Sequence, residues 1–347
     1  MEYGAIDLHL RNSQIRILAE DESIVLDRRV PTTREGLMQV FGPRARMRIL
    51  LESSTESEWV AQYLEGLSHE VIVADPNYAP MYGARSRKVK TDKRDVAALA
   101  LACRRGIYRA AHRASAAART LRQTMRVRRQ LVQMRSGVIS LLRSLLRQEG
   151  LRLPAGSTEH VLARLDSLTV PDALAAVLAP IRETLTQLNA TLAKADRAAT
   201  ARAQADATTR RLMTAPGVGP ILGLTFQAVL DDPARFGGDP ARASAYLGLV
   251  PSEQSSGERQ RKGHITKAGS REVRALLVQA SWAIWRGRSA AGADLRTWAQ
   301  LLAARRGRRI AIVGLARRLS RMLYAMWRDE TAFTARRRPA AVAPAQA

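Results

Sequence analysis

Hydrophobic and polar positions change their spacing twice along this chain, and the changes divide it into regions. In the first hundred residues the apolar positions come in short runs bounded by turn-forming residues. Residues 3–8, 14–19 and 23–30 read as three strands, and 33–41 as a short helix. The run 47–51 reads as a buried strand that stops at Glu52. Trp59, Val60, Tyr63, Leu64 and Leu67 then recur at helical spacing over 56–67, and 70–74 is a further apolar strand halted by Asp75-Pro76. A helix starts near Thr91. The order β-β-β-α-β-α-β-α is that of a ribonuclease-H-like (RNase H-like) domain.

From about residue 114 to 207 the period becomes helical. Val127, Leu131, Met134, Val138, Leu141 and Leu145 form one seam, and Leu174, Leu178, Ile181, Leu185, Leu188 and Leu192 a second. Both step by threes and fours, as in a coiled coil. Gly150 and Pro154 separate them, and Pro180 is expected to kink or restart the second. A plain helical bundle and an arm joining domains or protomers both fit. A third region, 208–330, is mostly helical, and 331–347 is a basic, then Pro/Ala-rich tail expected to be disordered. The expected domains are therefore 1–113, 114–207 and 208–330, with the tail beyond.

Composition narrows the function. Lys and Arg number 56 against 31 Asp and Glu, a formal net charge of +25 across 347 residues. Such an excess repels itself unless a polyanion neutralises it, and nucleic acid is the usual one. No apolar run approaches the roughly 20 residues needed to span a bilayer. Met1-Glu2-Tyr3-Gly4 lacks the parts of a signal peptide, so a cytoplasmic, nucleoid-associated protein is expected. The single cysteine, Cys103, excludes an internal disulfide and a cysteine-rich zinc site.

Within this basic chain four carboxylates fall where the strand–helix pattern would gather them. Asp7 ends the first predicted strand and Glu52 the fourth, which are neighbours in a ribonuclease-H-like sheet. Asp92 and Asp95 share one face at a helix start. Hard oxygen ligands suit Mg²⁺ or Mn²⁺, and two such ions roughly 4 Å apart can clamp the oxygens of a phosphate displacement. Asp92 by itself also fits a carboxylate placed for the helix dipole. Asp7, inside Ile6-Asp7-Leu8, is costly unless used. His9 could reach the same side and help bind metal or phosphate; a polar strand residue is the more ordinary reading.

Two further segments suit phosphate. In Pro216-Gly217-Val218-Gly219-Pro220, Gly217 and Gly219 permit a tight turn of helix-hairpin-helix type, whose amides would hold a DNA backbone without reading bases; a plain glycine loop is the alternative. In the segment Gly248 to Gly269, Ser255 and Ser256 precede the cations Arg259, Arg261, Lys262 and Lys267. A serine beside cations and a metal-bound phosphate can attack phosphorus, although a Ser-Ser-Gly turn is usually only a turn. Arg305, Arg306, Arg308, Arg309, Arg317 and Arg318 extend the basic surface.

Three blocks, Glu52-Ser53-Ser54-Thr55-Glu56-Ser57-Glu58-Trp59-Val60, Lys90 to Ala100 and Gly248 to Gly269, resemble the DEDD transposases of the insertion-sequence-110 family. The resemblance covers about residues 3 to 328. It implies a RuvC-like N-terminal domain, with Asp7, Glu52, Asp92 and Asp95 as the metal-binding acids. It also implies a helical linker and a C-terminal transposase domain with a serine nucleophile. The position before the glycine selects Ser256, with Ser255 the neighbouring fallback. Implied partners are double-stranded DNA at element ends and target, a non-coding bridge RNA, and further copies of the chain as dimers and tetramers. In such assemblies the acids of one subunit meet the serine of another. Glu52-Ser53-Ser54-Thr55 departs from the Glu-x-Thr-Gly of many members, which touches the local turn and not Glu52. The alternatives are a RuvC-like hydrolytic nuclease or junction resolvase whose serine segment only binds DNA, and a non-catalytic nucleic-acid-binding protein.

Overall fold

The alternating segments of the N-terminal region assemble into one five-stranded sheet. In the computed structural model, which describes residues 1–83, 91–253 and 262–335, the strands are β1 (Tyr3–Asp7), β2 (Asn12–Leu18), β3 (Ile24–Pro31), β4 (Arg48–Glu52) and β5 (Glu70–Ala74). Their order across the sheet is β3-β2-β1-β4-β5. The β1–β2–β3 meander is antiparallel, whereas β4 and β5 run parallel to β1. Helices α1 (Arg34–Phe41), α2 (Ser57–Gly66) and α3 (Asp92–Arg105) complete this unit, Met1–Ala114. The strands and α-helices follow the predicted order; a 3₁₀ turn (Ala79–Tyr82) between β5 and α3 is additional.

Strand alternation sorts the core into two layers. Ile6, Ile15, Ile17, Ile49 and Leu51 pack with Leu37, Phe41, Val60 and Leu64 from α1 and α2. Ala5, Leu18, Leu50 and Ala74 take the other face and meet Val96, Leu99 and Cys103 of α3. Asp7 and Glu52 lie two residues beyond Ala5 and Leu50, so they share the α3 face. Ile6 pairs with Leu51 in parallel register, which brings the two carboxylates level at the carboxyl ends of adjacent strands.

The second unit, Ser115–Ala347, is built separately. Helix α4 (Ala116–Gln148) is followed by α5 (Val161–Asp166) and α6 (Asp172–Ala205). The start of α4 packs with the end of α6 (Leu121, Met125, Ala199, Ala203), and its end with the start of α6 (Ile139, Leu142, Leu178, Ile181), so the two are antiparallel. Helix α6 buries Leu178, Ile181, Leu185, Leu188 and Leu192, as the second seam predicts. Two expectations need correcting. Helix α6 runs on through Pro180; Pro180 and Ala176, whose carbonyl loses its partner, are both exposed, so water can satisfy that oxygen. Helix α4 also buries Leu121, Met125, Ile139, Leu142 and Leu146, and Val127, Met134 and Leu141 of the predicted seam stay exposed. Val138 and Leu145 of the same seam are partly buried against the α4–α6 core, so the inward face of α4 is rotated from the predicted row, as its packing on the helix Pro220–Leu230 also requires.

Helices α7 (Ala207–Met213), α8 (Pro220–Leu230), α9 (Pro240–Tyr246), α10 (Arg271–Arg286), α11 (Ala293–Arg306) and α12 (Arg308–Arg328) surround a third core that includes Phe226, Leu277, Leu315, Leu319 and Tyr324. Strands β6 (Pro251–Glu253) and β7 (Lys262–Ile265) form an antiparallel pair where only a cationic loop is expected from sequence. Among the described residues, no helix is long and apolar enough to cross a membrane.

Candidate active site

The four acids line one cavity of about 760 Å³, together with His9, Pro76, Tyr82 and Gly83. Asp7 and Glu52 reach it from the ends of β1 and β4. Asp92 and Asp95 reach it from the first turn of α3. That turn is fixed by Thr91, whose hydroxyl accepts the Arg94 N–H at 3.4 Å while its carbonyl accepts the Asp95 N–H at 3.0 Å. The carboxylates of Asp92 and Asp95 thus sit where the helix dipole favours negative charge. Asp95 is buried and Asp92 exposed, so the cavity has an inner and an outer acid.

His9 belongs to the cluster, against the more ordinary reading of its place in sequence. It lies just past β1, and its Nε2 is 3.4 Å from Asp7 Oδ2 and 3.7 Å from Asp92 Oδ1. One ligand atom from each of Asp7, His9 and Asp92 falls within 4.8 Å of the others, close enough for all three to share one cation. Glu52 is held differently: the Tyr82 hydroxyl, on a 3₁₀ turn (Ala79–Tyr82) between β5 and α3, donates to its Oε1. Sequence reasoning misses Tyr82, because a one-turn 3₁₀ segment carries no periodic signal. Burial pushes the Asp7 carboxyl above its usual range; His9 pulls it back, and Glu52, Asp92 and Asp95 push it up further. Three acids crowding a half-buried fourth is the arrangement that a divalent cation relieves. The donors, carboxylate oxygens with one imidazole, fit Mg²⁺ or Mn²⁺.

Residues 5–150 match the profile of a DEDD transposase of the IS110 type. Residues 209–295 match the transposase IS116/IS110/IS902 family. The chain belongs to this transposase family. It is 28% identical over 335 residues to a probable family 20 transposase of Pseudomonas aeruginosa, spanning 94% of this chain and 97% of that one. It is 26% identical over 248 residues to the transposase for insertion sequence element IS1111A of Coxiella burnetii, spanning 70% and 68%. The transposase for IS1328 of Yersinia enterocolitica is 23% identical over 290 residues, spanning 82% and 85%.

In this insertion-sequence transposase the second matched segment contains both phosphate-binding candidates. The turn between α7 and α8 places Gly217 at φ 75°, in the left-handed region, where a side chain would also come within 2.8 Å of the Ala280 carbonyl oxygen. Gly219 caps α8 ahead of Pro220, and a Cβ there would meet nothing. Gly217 is thus required by packing alone, whatever else its turn does. The β6–β7 hairpin is pinned at its base. Gly248 (φ 67°) and Gly269 (φ 64°) leave no room for a Cβ, and Lys267, a non-glycine at φ 58°, donates its N–H to Gly248 O at 3.1 Å. Lys262 opens β7. Ser255, Ser256, Arg259 and Arg261 lie outside the described residues. Ser270 caps α10 by accepting the Val273 N–H at 3.3 Å, and Val273, Leu277, Ala280 and Ile284 are buried on its inner face, with Leu276 half-buried beside them.

Proposed function

We propose that this transposase cuts and rejoins DNA through a serine–DNA linkage formed at a divalent-metal site, on a ribonuclease-H-like domain. Asp7, Glu52, Asp92 and Asp95 would hold Mg²⁺ or Mn²⁺, with His9 as a fifth donor. The observation that carries this reading is the convergence of all four acids, from two strands and a helix, on one cavity. Bound there, a cation supplies positive charge to a phosphodiester's non-bridging oxygens. The Ser256 oxygen bonds to phosphorus, the bond from phosphorus to one DNA strand breaks, and that strand leaves with a hydroxyl end. The serine proton passes to solvent, and solvent returns one to the leaving oxygen. The later attack of a DNA hydroxyl on the phosphoserine restores the serine and joins the new strand. Gly217, Gly219, Arg259, Arg261, Lys262 and Lys267 would grip the flanking phosphates.

Partner selection by a bridge RNA fits a chain with a net charge of +25; pairing between RNA and DNA would then supply sequence choice. Assembly as dimers and tetramers is supported by α4. Val127, Met134 and Leu141, spaced by sevens, are 62%, 48% and 52% exposed, a seam free to take a second copy.

The test is to incubate the protein with element-end DNA, element RNA and Mg²⁺, and to look for a protease-sensitive protein–DNA adduct on denaturing gels. Wild type forms it; Ser256→Ala and Asp7→Asn do not, and EDTA abolishes it. If Ser256→Ala still cuts while Asp7→Asn does not, water is the nucleophile and the protein is a hydrolytic nuclease of the same metal site.

A further inference from the structure

A second cavity, of about 510 Å³, lies between α11 and α12, and the reactions above give it no role. That volume is in the range of roughly 300–1,000 Å³ typical of small-ligand pockets. Its lining is Trp298 and Leu302 from α11, and Gly314, Arg317, Arg318 and Arg321 from α12. The spacing explains the grouping. Trp298 and Leu302 are four apart on one face, and 314, 317, 318 and 321 follow one another down the facing side of α12. Gly314 makes the cavity possible: a Cβ there would already stand 2.9 Å from the Leu302 Cδ2 and 3.5 Å from the Trp298 ring.

The floor and rim ask for different things from one ligand. The floor is an indole face and a leucine, which suit a flat apolar group. The rim is three guanidinium groups with no acid among the described lining residues, which suits negative charge on either side of that group. Arg318 lies 4.9 Å from the Trp298 ring centroid, so ring and guanidinium form one layered surface. Arg317 Nε is buried with no hydrogen-bond partner among the described residues, so that side chain is not tied down by the fold. We infer that this cavity is a stacking site for an unpaired nucleobase, with the adjoining phosphates of a single strand held by Arg317, Arg318 and Arg321. A base in a duplex has both faces covered by its neighbours and cannot enter. An unpaired base presents a ring to Trp298 or to the guanidinium plane, and both kinds of surface stack bases. The inference stands apart from the acids and from Ser256, because it concerns binding and not bond cleavage.

The test measures binding of the full chain to fluorescent oligothymidylate, oligouridylate and a DNA duplex by anisotropy. Two variants act on the cavity in opposite ways. Trp298→Ala removes the stacking ring. Gly314→Met keeps the ring and fills the space from the other helix, where only the mobile end of Leu302 must yield. Both are expected to weaken single-strand binding about tenfold and to leave duplex binding within about twofold. Trp298→Phe retains an aromatic face and stays near wild type. Arg321→Gln lowers the slope of log affinity against log salt by about one, as loss of one phosphate contact requires. Comparing oligouridylate with oligothymidylate tells an RNA site from a DNA site. Equal weakening of duplex and single strand by Gly314→Met, or no weakening at all, overturns the proposal. So does a fall in molecular mass by light scattering with unchanged oligonucleotide binding, because the cavity would then seat a second copy of the chain.

Discussion

Asp7 carries the cost of a carboxylate at the end of an otherwise apolar strand, and its surroundings raise that cost. Burial and three neighbouring acids push its carboxyl up while His9 pulls it back, and a cation in the cavity would favour the ionised form further. Asp7→Asn keeps the shape and removes the charge. Its expected outcome is a melting temperature in EDTA at or slightly above that of the wild type, because a costly charge is gone, the loss of the Mg²⁺-induced rise in melting temperature, and DNA cleavage reduced by at least about a hundredfold. Tyr82→Phe removes one hydrogen bond to Glu52 and no ligand. It should lower cleavage only several-fold, about 1 kcal/mol, with more Mg²⁺ needed for half-maximal rate; an effect as large as that of Asp7→Asn would mean that Tyr82 does more than hold Glu52. Cys103 makes the opposite point. Burial pushes its thiol up to about 12, so the reactive thiolate is scarce at neutral pH. Iodoacetamide should leave it unlabelled in the native protein and label it fully in urea. The acids are legible in sequence because acids are conspicuous in a basic chain. Tyr82 is not, because it depends on where an irregular segment comes back to the sheet; His9 is legible only as one of two readings, and its approach to Asp92 requires α3 to be brought beside β1.

At the scale of elements, local rules decide most of what the sequence reveals. The N-cap at Thr91, the strand alternation that turns Asp7 and Glu52 toward α3, and the buried stripe of α10 all follow from short-range patterns. The β6–β7 hairpin does not, because its strands are short and its closure depends on two glycines approaching other backbone. A Cβ at Gly269 would stand 2.0 Å from the Tyr246 carbonyl oxygen, at a left-handed φ. Gly269→Ala is therefore expected to destabilise the protein by about 2 kcal/mol or more in urea titrations. Gly137→Ala, inside α4 where a Cβ meets nothing, should stabilise it by about 0.5–1 kcal/mol. Equal effects at the two positions would rule out close packing as the reason for the glycine at 269.

For the whole molecule, charge and the uncovered seam set the behaviour. With a net charge of +25, affinity for nucleic acid should fall steeply and linearly on a log–log plot against salt. The exposed row of α4 gives a sharper test. Val127→Glu, Met134→Glu and Leu141→Glu together place charge on that face while Leu121, Ile139 and Leu142 stay buried on the other. The triple variant should keep wild-type helix content by circular dichroism and run as a monomer in light scattering, under conditions where the proposed assembly would make the wild type run as a multimer. A wild type that is already monomeric with its RNA and DNA bound would remove the case for a seam between copies.

Sequence by itself determined the order of strands and helices in the first unit, the residue types able to hold a cation, and the polyanionic nature of the partner. These follow from period, side-chain chemistry and net charge, which need no knowledge of distant contacts. Only the tertiary structure decided that His9 joins Asp7 and Asp92, that Tyr82 holds Glu52, which face of α4 is inward, and that α11 and α12 leave a cavity floored by Trp298. Each of those is a meeting of residues far apart in the chain or on facing helices, and packing geometry, unlike periodicity, is settled only when the elements come together.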